Sequence, residues 1–173
     1  MPVAHALPVP SRSHSALREG AIAGAIGATS VAVLFLIIDM MAGQPLRTPE
    51  LLGRGLLSIL GPAGSEGAFT YIAVYTLFHY AAFAAVGILA TIVIHWAENE
   101  PSILAGFLIL FVAVELGFYG LVALLSEPGI LGGIAWYQVL LGNLIASGLM
   151  GWYLWKAHPA LGREFDQALS GRE

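Results

Sequence analysis

Four long apolar runs, residues 21–42, 69–95, 102–125 and 130–155, fill most of this 173-residue chain. A helix that crosses a bilayer needs about 20 mostly apolar residues. Each run meets that length, so the pattern predicts an all-α membrane protein, a four-helix transmembrane bundle. The chain then divides into a polar N-terminal leader over 1–19, a four-span domain over 20–158 and a short charged tail over 159–173. The leader carries Pro8, Pro10, Arg12, His14, Arg18 and Glu19 and is expected to be disordered. The run after it is longer than the apolar core of a signal peptide, about 7–15 residues, and reads as a retained first span.

The first run is small at its start and bulky at its end. Gly20, Gly24 and Ala28 recur every four residues, a spacing that lets helix backbones approach closely in lipid. Either another span or a second subunit could be the partner, and glycine is common in membrane helices in any case. The first connection is the long one. Gln44-Pro45 breaks the first helix. Thr48-Pro49-Glu50 then reads as a helix start with Thr48 as cap, and Gly61-Pro62 as its stop. Between them Glu50, Arg54 and Ser58 line a narrow polar stripe on an otherwise apolar helix, too short to span and suited to the membrane interface. A plain connector with a local Glu50–Arg54 pair is the alternative.

The later connections, Ala97-Glu98-Asn99-Glu100 and Ser126-Glu127-Pro128-Gly129, are short and force antiparallel neighbours. Lys and Arg number five on the side holding both termini (Arg12, Arg18, Lys156, Arg163, Arg172) and two on the other (Arg47, Arg54). Positive charge favours the cytoplasm, so both termini are expected there. Trp96 on the second span, with Trp152, Tyr153 and Trp155 on the fourth, marks that same interface.

Composition narrows the chemistry. The chain is 58% hydrophobic and 10% charged, against about 25% charged in soluble domains. It has no cysteine, which removes disulfides and thiolate metal sites. It has no basic stripe, so no nucleic-acid partner is expected. No nucleophile elbow, P-loop or dinucleotide fingerprint is present.

The informative polar residues lie inside the spans, where ionisable groups are expensive. At a rise of about 1.5 Å per residue, His79, Glu115, Gln138 and Asn143 fall within about 7 Å of the bilayer centre. Tyr75 and Tyr119 lie one turn further out on the faces of His79 and Glu115, and Asp39 near the end of the first span. Asp39, Tyr75, Tyr119, Gln138, His79 and Glu115 form a polar column in the outer half of the bilayer, with Asn143 near its centre. Their bland role is to fix helix register, with interhelical bonds of about 0.6 kcal/mol each. A proton or ion path would use Glu115 as titrating carboxyl and His79 as relay. His79, Glu115 and Asp39 also make an N/O metal-ligand set, although no span carries a His-x-x-x-His or Glu-x-x-His spacing. Haem fits less well, because His95 lies sixteen residues from His79 on the same helix, near the opposite interface.

The string Asp39-Met-Met-Ala-Gly43-Gln-Pro45-Leu-Arg-Thr48-Pro49-Glu-Leu-Leu52-Gly53, the segment Phe78-His79 with Phe83 and Gly87, and the ending from Asn143 to His158-Pro159 resemble a group of uncharacterised bacterial four-span integral membrane proteins. The resemblance implies a topology and a bacterial cytoplasmic (inner) membrane; it carries no activity and no cofactor. Function is therefore read from the residues. Few ionisable groups line the spans and small-residue faces suit helix association. The leading expectation is a non-enzymatic structural or accessory subunit, with the lipid bilayer and other membrane subunits or itself as partners. The alternative is a small transporter, proton conductor or cofactor-binding protein using His79 and Glu115.

Overall fold

A computed structural model describes residues 16–60, 66–97 and 136–159, and these residues contain helices and no strand. The helices are α1 (Ala16–Met41), α2 (Arg47–Leu60), α3 (Ala68–Ala97) and α4 (Trp136–Ala157). Helices α1 and α3 are long and apolar enough to cross a membrane. The leader up to residue 15, the run 102–125, both short connections after α3 and the tail from residue 160 lie outside the described residues.

The glycine spacing in α1 has a partner, and it is α3. A Cβ on Gly20 would fall closer than 3.0 Å to the backbone of Gly87 and Ile88, and one on Gly24 equally close to the backbone of Phe83 and Ala84. Gly87 meets Gly20 and Gly24 from the other side in the same way. The two helices touch backbone to backbone along this seam, which only small side chains permit. A quarter turn away, Ala23 and Gly27 of α1 face α4: Ala23 forms a buried cluster with Met150 and Leu154, and Met150 lies against Gly27. Phe83, Ala90, Ile94 and Tyr153 close over the cluster. Thus α3 and α4 both pack on α1, while α2 packs chiefly on α3. Its N-terminal Glu19 meets residues at the C-terminal ends of α3 and α4, so it runs antiparallel to both.

Helix α1 begins at Ala16, ahead of the apolar run. Its polar first turn is not left in water, because Glu19 is buried. The other end stops on Gly43, whose φ of +70° is open to glycine at no steric cost. Gln44 N–H donates to the Asp39 carbonyl at 2.9 Å and Gly43 N–H to the Met40 carbonyl at 3.0 Å. This pair satisfies two of the orphan carbonyls of the helix end. Helix α2 starts at Arg47, one residue before the expected Thr48 cap, and Leu46 at φ 67° turns the chain into it. Gly53 of α2 rests directly on the backbone of Tyr71 in α3. On its polar stripe Arg54 reaches Glu50 at 3.3 Å and also lies over the Tyr71 ring at 5.2 Å, while Ser58 turns back to the Gly55 carbonyl. The Arg54 and Glu50 side chains are 59% and 36% exposed, so the pair contributes little.

The seam yields a direct test. Gly24→Val should destabilise the purified protein by about 3 kcal/mol, the upper end of overpacking costs, because the atoms it meets are backbone. Gly148→Ala, at a helical glycine with nothing within 4 Å, should instead stabilise by about 0.5–1 kcal/mol. Thermal unfolding followed by circular dichroism reads both.

Candidate functional site

Of the candidate residues that are described, Asp39 lies on α1, Tyr75 and His79 on α3, and Gln138 and Asn143 on α4. His79 is buried. Its Nε2 lies 3.1 Å from the Ala28 carbonyl of α1. A carbonyl can only accept, so Nε2 carries the proton and donates. Nδ1 faces the Tyr75 hydroxyl at 3.5 Å, one turn away, and the two rings stack at 5.5 Å between centroids. Phe83 packs on the other side of the imidazole at 4.8 Å. Ala28 is the third small residue of the α1 stripe, and its carbonyl is reachable because the seam holds the two backbones together. Nearby, the hydroxyls of Thr29 and Tyr80 meet at 3.0 Å.

Asp39 is buried in the last turn of α1 and serves α2. Its Oδ2 accepts the Thr48 N–H at 2.7 Å and its Oδ1 the Thr48 hydroxyl at 2.8 Å. Thr48 does not cap its own helix. The carboxylate of α1 takes one of the unpaired amides of the α2 first turn, where the helix dipole also favours a negative charge.

Asp39, Tyr75 and His79 share a cavity of about 240 Å³, with Tyr80 on its wall and a lining that is otherwise mostly apolar. A smaller cavity of about 120 Å³ joins Asp39, Arg47 and Thr48 to Gln138 at the start of α4. Asn143 lies one to two turns further along α4, half-buried. The structure therefore brings Asp39, Tyr75 and His79 to one cavity and Gln138 to its neighbour. Glu115 and Tyr119 lie outside the described residues, and with them any contact to His79. Among the described residues no buried side-chain nitrogen or oxygen lacks a hydrogen-bond partner.

A second polar group sits at the other end of α1, and the column did not include it. Glu19 Oε2 is 3.2 Å from His158 Nε2 and 3.9 Å from His95 Nε2. The two imidazoles meet edge to face at 4.9 Å between centroids. Glu19 and His158 are buried, and the His95 side chain is 32% exposed. Sequence offered a faint signal for it. His95 and His158 both lie next to the aromatic residues that end their helices, on the side where α1 begins, but each alone reads as an interface residue.

Comparison with protein-family models, with curated proteins and with solved structures gives no match for this chain.

The Asp39 bonds predict a local effect. Asp39→Ala leaves the Thr48 amide without its partner and should cost about 1–3 kcal/mol. It should also expose the 42–47 turn to protease faster than Asp39→Asn, which keeps one accepting oxygen. Unfolding midpoints and cleavage rates at that turn check both expectations.

Proposed function

We propose that this chain is a polytopic integral membrane protein, a four-span bundle with α2 lying at the interface, that acts as a non-enzymatic subunit of a membrane assembly or homo-oligomer. The carrying observation is that the polar groups of the described column are engaged within the protein. His79 and Asp39 tie α1 to α3 and to α2, so register alone accounts for them. The outward faces support the lipid part of the reading: Leu77 is 75% exposed, with Phe78, Leu89, Leu144 and Trp152 exposed as well. Large apolar side chains exposed on both α3 and α4 suit surfaces that face lipid. Lys156 lies 4.1 Å from the centre of the Trp152 ring, an arrangement suited to a headgroup region. The Lys and Arg distribution favours cytoplasmic termini, and the resemblance favours a bacterial inner membrane.

A second reading rests on one specific observation. The cavity of about 240 Å³ carries Asp39, Tyr75 and His79 on its wall, and its size suits a few waters or a small ligand. In that reading the chain is a small transporter, proton conductor or cofactor-binding protein, with Glu115 as the titrating partner of His79.

Native mass spectrometry of protein extracted gently from its own membrane separates the two. Further polypeptides at fixed stoichiometry, or a homo-oligomer, are the expected result. A monomer carrying a discrete organic mass other than lipid overturns it in favour of the cavity. In reconstituted vesicles with a pH-sensitive dye, Glu115→Gln and His79→Gln should leave proton leak unchanged. A tenfold or greater loss of a wild-type flux in either variant establishes the second reading.

A further inference from the structure

We infer that Glu19, His95 and His158 form a binding site for a divalent transition-metal ion that clasps the first turn of α1 to the ends of α3 and α4. The three residues are far apart in sequence and are brought to one point by the antiparallel packing of α1 on α3 and α4. Each offers one ligand atom, and the three atoms lie within 4.8 Å of one another. In tetrahedral coordination at metal–ligand lengths of about 2.0–2.2 Å, ligand atoms sit about 3.4 Å apart. The two edges from Glu19 Oε2, 3.2 and 3.9 Å, bracket that value. The third edge, between the histidines, is within 4.8 Å.

The His158 and His95 Nε2 atoms lie 3.2 and 3.9 Å from the same carboxylate oxygen. A metal ion placed among the three would join both imidazoles and the carboxylate through one centre. Position favours a cation as well. Helix α3 ends at Ala97 and α4 at Ala157, and the C-terminal ends of helices carry partial negative charge. Burial of Glu19 and His158 supplies the dry wall of a site, and the partly exposed His95 gives an ion its way in.

Two imidazoles and one carboxylate are a borderline N/O set that suits Zn²⁺, with Fe²⁺ or Mn²⁺ as weaker competitors, and leave a fourth position open to water. The seam between α1 and α3 and the Ala23–Met150–Leu154 cluster already hold the three elements together. The ion would therefore lock an existing arrangement, and its binding would raise the unfolding temperature.

The test uses the full chain, stripped of metal with chelator and titrated with Zn²⁺ by calorimetry and with Co²⁺ by visible absorption. The expected result is one ion per chain, a tetrahedral or five-coordinate Co²⁺ spectrum and a higher unfolding temperature. His158→Ala and Glu19→Gln should each weaken Zn²⁺ binding at least tenfold. His95→Ala removes the most exposed ligand, is the least disruptive to packing and should do the same in a chain that remains helical. The combined His5→Ala, His14→Ala variant should keep both stoichiometry and affinity. Absence of saturable binding, retention of wild-type affinity in His95→Ala, or loss of binding in the His5, His14 variant overturns the assignment.

Discussion

The backbone contact between α1 and α3 is the constraint on which the rest of the structure depends. Gly20, Gly24 and Ala28 on one helix and Gly87 on the other remove the side chains that would hold the axes apart. With the side chains gone, the two backbones come into direct van der Waals contact, and dispersion along the seam holds the pair together. The close approach has a second consequence: it exposes a helix carbonyl to a neighbouring side chain. Ala28 lies on the same stripe, and its carbonyl receives His79 Nε2 at 3.1 Å. A bulkier residue at Gly24 would move α3 outward and leave the imidazole with nothing on α1 to bond.

The polar groups share one logic. Glu19, His79 and Asp39 are all buried, and together they tie α1 to α2, α3 and the end of α4. Glu19 meets His95 and His158 at the first turn, His79 reaches Ala28 near the middle, and Asp39 receives Thr48 near the end. Burying a polar group costs free energy unless it is bonded. These groups therefore penalise any rotation or slide of α1 more steeply than smooth apolar packing could. Exposed pairs such as Glu50–Arg54 impose no such penalty, because water replaces either partner at little cost.

How much of this was readable in the sequence depends on whether the information is local. The four-residue spacing of Gly20, Gly24 and Ala28 announces a close contact, but the identity of the partner depends on how α3 folds back. The depth estimate placed Asp39, Tyr75 and His79 in the same half of the bilayer from the regular rise of a helix, and the three line one cavity. Rotation about the helix axis is not carried by depth. That Asp39 turns toward Thr48 depends on the left-handed residues Gly43 and Leu46, which redirect the chain within a few positions. The Thr48-Pro49-Glu50 signature located the start of α2 to within two residues, yet misassigned the cap, because the acceptor comes from another helix. Glu19, His95 and His158 were the hardest to read: none has a ligand-like neighbour at helical spacing, and each sits at a helix end where polar residues are ordinary.

The two ends of α1 differ in how many elements their polar contacts reach. At the Asp39 end both carboxylate oxygens accept hydrogen bonds of 2.7 and 2.8 Å from a single residue, Thr48 of α2, and the short lengths suit a carboxylate acceptor. At the Glu19 end two imidazoles approach one carboxylate oxygen at 3.2 and 3.9 Å, one from α3 and one from the residue that follows α4. A slide of α1 along its axis would therefore pull on a single joint at the Asp39 end and on contacts to two elements at the Glu19 end.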